Sequence, residues 1–289
     1  MSVRRLAVGS AAVLLVLAVL PAGASHEALR CSAPLELTRF RVPLANTARA
    51  IRQGRELVIV AIGSSSTAGV GASDPAHAYP AVFADELRRR WPRLAVTVIN
   101  RGISGETISA VLGRFERDVL SHRPQLVIWQ TGSLAALGTG DVEGYTAAMQ
   151  EGIGRLKAAR LDIVLMDPQF APRVLARPMH ARVVDAIGAT ANDTKVAVFR
   201  RFAVMQHWIS SGQYRMDEVI SRDGLHLNDV SYGCIARLLV MSVKADDELD
   251  WDALRRALKQ LEQAGLSVRE REEFMAEALT RAQSRPSPR

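Results

Sequence analysis

Leu57-Val58-Ile59-Val60-Ala61-Ile62-Gly63-Ser64-Ser65-Ser66-Thr67-Ala68-Gly69 is the stretch on which the fold turns. From Leu57 to Ile62 every residue is apolar, the pattern of a strand buried on both faces. The run stops at Gly63 and passes through three serines and a threonine to Gly69 and Gly71. A strand that breaks into a small polar turn presents hydroxyls at the carboxyl edge of a sheet, where open α/β sheets bind their ligands. Ser65 is the candidate nucleophile. A flexible Ser/Gly loop or an anion-binding turn is the plainer reading of the same residues.

Outward from this stretch the chain alternates. Strands are expected at 94–99, 126–130, 163–166 and 196–199. Helices are expected at 81–91, 106–120, 141–160, 177–193, 202–211 and 229–243. Pro80 suits a helix start, and Asp141 and Asn228 are placed as caps. Strands spaced by helices in this way predict a doubly wound, five-stranded parallel α/β sheet with helices on both faces and right-handed crossovers. Residues 25–52 carry Pro34 and Pro43 and little periodicity, so one domain is expected over 25–245.

Beyond it the composition shifts. Residues 246–283 are rich in Ala, Leu, Glu and Arg, and two helical segments meet at Ala264-Gly265-Leu266, with Ser267 and Glu270 as a capping box. This predicts a C-terminal helical extension, followed by a disordered tail at 284–289. At the other end, Arg4 and Arg5 precede an apolar run over 6–20 and then Pro21-Ala22-Gly23-Ala24. That is the layout of a signal peptide over 1–24, too short to span a bilayer, and it implies an exported chain, periplasmic or secreted. Two cysteines, Cys31 and Cys234, permit one long-range disulfide in such a compartment; two unpaired buried thiols are the alternative.

The 289 residues are 48% hydrophobic and 23% charged, ample for a core. The net charge of +7 suits a polyanionic surface. Aromatics make up 5%, too few for base-stacking platforms, and the arginines are scattered, so a nucleic-acid partner is not expected. His122, His180 and His207 have no metal-ligand spacing, and Gly69 and Gly71 do not form a dinucleotide motif, so no cofactor is implied.

An isolated serine hydroxyl is a poor nucleophile and needs a base. Asp223-Gly224-Leu225-His226 supplies a carboxylate three residues before an imidazole, a spacing that lets both face one way. A surface histidine with a nearby aspartate is the plainer reading. The order of the pieces favours the first, because the turns after successive parallel strands share one edge and the Asp–His pair precedes the last helix. Gly105, after the second strand, can offer its N–H to an oxyanion.

With these blocks in place the chain resembles the SGNH (GDSL-type) hydrolases over about residues 55–245. Gly63-Ser64-Ser65-Ser66 stands for the first block, Asn100-Arg101-Gly102-Ile103-Ser104-Gly105 for the second and Asp223-Gly224-Leu225-His226 for the last. The resemblance implies a flavodoxin-like sheet, a Ser65–His226–Asp223 triad and an oxyanion donor at Gly105. The third block departs: Gly132-Ser133-Leu134-Ala135 puts Leu134 where the family has a donating Asn, with Ser133 and Gln130 as substitute donors. An exported carboxylic ester hydrolase acting on short acyl or O-acetyl esters of polysaccharide or lipid is implied. An acyltransferase using the same triad, or a degenerate carbohydrate-binding protein, is the alternative.

Overall fold

The computed structural model describes residues 31–138 and 141–243, with isolated positions between 259 and 270. Five parallel strands form the sheet: β1 (Leu57–Gly63), β2 (Val96–Gly102), β3 (Leu126–Gln130), β4 (Asp162–Met166) and β5 (Ala197–Phe199). Their order is β2-β1-β3-β4-β5, the flavodoxin-like arrangement. All five residues of β3 and six of the seven in β1 are buried, as expected for central parallel strands covered on both faces.

The longer helices are α1 (Ala45–Arg52), α2 (Tyr79–Arg90), α3 (Val142–Ala158), α4 (Met179–Thr194), α5 (Arg201–Ser210) and α6 (Asp229–Ser242). Right-handed crossovers, the rule for parallel strands, would send the β1–β2 connection to one face and the β3–β4 and β4–β5 connections to the other. Accordingly α2 packs with α6, and α3 packs with α4. The strand order reverses at β1, so the crevice at the carboxyl ends of β1 and β3 is the topological switch point. Among the described residues no helix is long and apolar enough to cross a membrane.

Three departures from the sequence expectations have physical causes. β2 runs on to Gly102 through Asn100 and Arg101, because it is an edge strand and its open side accepts polar residues. The helix expected over 106–120 is broken into Ile108–Gly113 and Phe115–Asp118. There Arg114 turns inward, and its guanidinium donates to the carbonyls of Gly63 and Arg101 and to Glu106. The aperiodic leader contains Leu35–Thr38 and α1, whose buried face is made of Thr47, Ala48 and Ala50 rather than large hydrophobes.

Cys31 and Cys234 form a disulfide with their Cα atoms 5.0 Å apart, tying the start of the described chain to α6 across 203 residues. A cross-link closing so long a loop restricts the unfolded chain and typically contributes about 2–4 kcal/mol. Ser267 and Glu270 make the expected capping box. The expected signal peptide over 1–24, most of the expected helical extension over 246–283 and the expected tail at 284–289 fall outside the described residues.

Candidate active site

β1 delivers the serine turn to the switch point, where it folds as a single helical turn, Ser65–Ala68. Gly63 must be glycine there: a Cβ would lie 2.7 Å from the Gln130 carbonyl and 2.6 Å from Thr67 Oγ1. Gln130, the last residue of β3, anchors the turn. Its Oε1 accepts from the Ser64 N–H at 3.0 Å and from the Ser64 and Thr67 hydroxyls at 3.3 Å each.

Ser65 meets its expected partners across 161 residues. The His226 Nε2 lies 2.9 Å from Ser65 Oγ, within hydrogen-bond reach for a base and the hydroxyl it would deprotonate. Nδ1 of the same ring is hydrogen-bonded to Asp223 Oδ2. The other carboxylate oxygen accepts from the N–H groups of Leu225 and His226 at 2.9 Å and from the Ser221 hydroxyl at 2.8 Å. Partial burial pushes the Asp223 carboxyl up, but the His226 ring and these donors outweigh it and hold the group well below the usual carboxylate range. The Ser221 N–H donates to the His226 carbonyl, and Ile220 bridges Leu227, so the turn is held independently of the ring.

The loop after the serine turn braces this arrangement. Tyr232 donates to the Val70 carbonyl, and Gly71 is at φ +94° against the His226 segment. A Cβ on Gly71 would sit 2.2 Å from the Leu227 carbonyl oxygen and 2.9 Å from His226 Cβ. Gly71→Ala is therefore expected to displace the imidazole and lower kcat for ester hydrolysis by about 10²-fold with little change in KM, the cost of a misplacement on the order of 1 Å. An unaltered kcat would show that the loop yields without moving His226.

A cleft of about 320 Å³ opens beside the turn, lined by Ser64, Glu106, Ile108, Gly132, Leu134 and Tyr145 among others. Leu134 is 39% exposed and presents only carbon to it. Gly105 is exposed, at φ +79°, next to Glu106. Arg114 holds that segment, donating to Glu106 at 2.7 Å and to the Gly63 carbonyl at 3.2 Å.

The substitute oxyanion donors need correcting. Gln130 Nε2 donates to Ser133 Oγ at 3.0 Å, and Ser133 Oγ donates to Gln169 Oε1 at 2.9 Å. The Ser133 hydroxyl hydrogen and one of the two Gln130 amide hydrogens are thus engaged inside the protein, which leaves Ser133 its backbone N–H at the open start of a short helix. Gln169 continues the network: its Nε2 donates to the carbonyl of Leu225, the neighbour of His226, and its Oε1 also accepts from the fully buried Arg201. Arg201 donates to the Asp167 carbonyl, and burial lifts the Asp167 carboxyl to about 7 against the Phe202 N–H and the Arg201 charge. Gln169 and Arg201 were not read from the sequence. The signal for Gln169 is a polar residue just past a buried strand; Arg201 carries none. Trp129 and Met166 are fully buried core, Tyr79 is buried with its hydroxyl 3.4 Å from Thr67, and His77 is exposed beside Asp74.

A model of the non-GDSL lipase-like family matches residues 30–247. An acetylxylan esterase of Geobacillus stearothermophilus is 27% identical over 139 residues, which are 41% of this chain and 64% of that protein. The chain therefore spans just under two thirds of that relative. Among solved structures, a two-domain esterase active on acetylated mannans, crystallised with mannopentaose, superposes with a TM-score of 0.59 at 20% identity over 71% of this chain and 55% of its own. A catalytic mutant of an acetylxylan esterase from Geobacillus stearothermophilus gives 0.55 at 19% identity, over 64% of this chain and 93% of its own. An α/β hydrolase from the metagenome of Lake Arreo, Spain, gives 0.54 at 21% identity, over 65% and 96%. At these identities the structural likeness concerns the fold.

Proposed function

The chain belongs to the non-GDSL lipase-like family, and from that premise we propose that it is an exported serine esterase that removes short acyl groups, acetyl foremost, from carbohydrate. The observation that carries this reading is the 2.9 Å approach of His226 Nε2 to Ser65 Oγ with Asp223 on the opposite ring nitrogen. The family's name suits a first block that lacks the Asp and Leu of Gly-Asp-Ser-Leu, while block order keeps the likeness to SGNH hydrolases. Acetylated xylan and mannan are the substrates named for the relatives. The Cys31–Cys234 disulfide supports an oxidising compartment.

In this mechanism Ser65 Oγ attacks the ester carbonyl while its proton passes to His226 Nε2. Asp223 keeps the other ring proton on Nδ1 and stabilises the imidazolium. The developing oxyanion is met by the backbone N–H groups of Ser65 and Gly105. As the tetrahedral intermediate collapses, His226 returns the proton to the departing sugar oxygen and the acyl group stays on Ser65. Water then attacks, giving a proton to His226; the second intermediate releases the acid and restores the serine hydroxyl.

The test is incubation of the purified protein with p-nitrophenyl acetate, acetylated xylan and acetylated mannan, following free acetate and an acetylated Ser65 peptide by mass spectrometry. Acetate release through acetyl-Ser65 is expected. A folded protein that releases none and carries no acyl group would overturn the reading. Acetyl groups passing to sugar hydroxyls in preference to water would make it a transferase.

A further inference from the structure

The amino edge of the sheet carries a second concavity, of about 720 Å³, more than twice the volume of the cleft beside Ser64. Val58 of β1 and Gln125 and Leu161, which precede β3 and β4, form its floor. Arg49, Arg55, Arg123 and Arg160 line it, all exposed. Among the described residues none of these four guanidiniums has an ion pair or a side-chain hydrogen bond. Several exposed arginines elsewhere are paired, Arg88 with Asp85, Arg89 with Glu86, Arg182 with Glu143 and Arg215 with Asp217; others, such as Arg93, Arg173 and Arg222, stand alone on the surface among the described residues, whereas these four line one concavity. Of the residues lining the concavity only Glu56 is acidic, and it accepts from Thr97. The nearby Asp162 accepts from Asn46 and twice from Thr47.

Two features argue that this charge is more than a solvated surface. Arg123 and Arg160 sit at φ 47° and 58°, left-handed positions after a helical turn where glycine or asparagine is the unstrained choice. Helix C-termini do favour cations, and α1 and α3 both end here. Each end carries only about half a negative charge, so two ends do not offset four guanidiniums.

Planar guanidinium forks match carboxylates and phosphates in bidentate fashion. No Phe, Tyr or Trp lines the concavity, and the ring of its His122 is half-buried and hydrogen-bonded to Arg101, so it offers no broad platform on which nucleobases could stack. The geometry points to a binding cleft for an anionic polysaccharide, held through its carboxylates, on the edge of the sheet opposite Ser65. β1 is seven residues long, so the two edges lie roughly 20 Å apart. A polymer docked here would keep the chain at its surface while the other edge meets the acyl groups. This cleft is independent of the esterase reading and stands whether or not Ser65 turns over an ester.

The test is titration of the full-length chain with polygalacturonate by calorimetry at low and high salt, beside the double variant Arg123→Gly/Arg160→Gly. Glycine removes the charge and relieves the left-handed backbone, so the fold is retained; thermal unfolding checks this. Wild type is expected to bind polygalacturonate with an affinity that falls steeply as salt screens the cleft. The variant is expected to bind at least about tenfold weaker, the loss of a favourable pair of charge-assisted contacts, with no lower unfolding midpoint. Failure of wild type to bind at low salt, or equal affinity in the variant, overturns the proposal. So does tighter binding of polyphosphate, of a DNA oligonucleotide or of phosphatidylglycerol vesicles, which would assign the cleft to a phosphate-bearing partner.

Discussion

Ser65→Ala is expected to lower kcat/KM for p-nitrophenyl acetate by roughly 10⁴–10⁶-fold, leaving only the contribution of the oxyanion donors and substrate binding. His226→Ala should cost a similar factor. Combining the two should cost little more than either alone, because nucleophile and base act as one unit. Ser66→Ala separates this outcome from general damage to the turn. The Ser66 hydroxyl is buried and, among the described residues, without a hydrogen-bond partner, so losing it removes no bond from the site. Ser66→Ala should keep near wild-type rates, and a Ser65→Ala enzyme retaining a tenth of wild-type activity would remove Ser65 from the mechanism.

The second large effect is expected at Asp223. In Asp223→Asn one oxygen can still accept from the Leu225 and His226 N–H groups, but the amide nitrogen then faces His226 Nδ1. That nitrogen must become the acceptor, the ring proton moves to Nε2, and Nε2 donates to Ser65 instead of taking its proton. A loss of about 10⁴ in kcat is expected, the size of the same wrong-tautomer substitution in a serine protease triad. Because the Asp223 carboxyl is held below the usual carboxylate range, it stays ionised across the assay range. The deficit should therefore be similar at mildly acid and neutral pH, as paired pH profiles of kcat would measure. The stability difference has its own sign. A depressed folded-state pKa stabilises above the unfolded value of about 4 and is lost as pH falls below it. The gap in unfolding midpoint between wild type and Asp223→Asn should accordingly narrow on acidification. A loss in kcat of less than tenfold would assign Asp223 a structural part only.

The sheet was legible because parallel strands are written as unbroken apolar runs, and the Asp–His loop because residue type and spacing alone define it. What stayed hidden depends on convergence in space. Gln130 bonds Ser64 across 66 residues and Gln169 bonds Leu225 across 56, and neither spacing marks a motif. The break at Arg114 follows from buried carbonyls on β1 and β2 that a helix-periodicity reading cannot see. α1 was missed because its inward face is small and weakly apolar. In the third block Leu134 lines the cleft without a polar role, as its residue type implies, while the Ser133 hydroxyl turns into the buried network, a direction that residue type alone does not give.

The disulfide has a bearing on how the two halves of the site stay together. Ser65 lies on one side of the exposed turn at Ser211 and Gly212, while Asp223, His226 and Cys234 lie on the other. A protease that nicks the backbone at that turn would cut the polypeptide between Ser65 and His226, the proposed nucleophile and base, yet the sulfur bridge from Cys31 would keep both fragments in one covalent particle. The bridge works as a tether that lets a clipped molecule remain whole until a reductant reaches it.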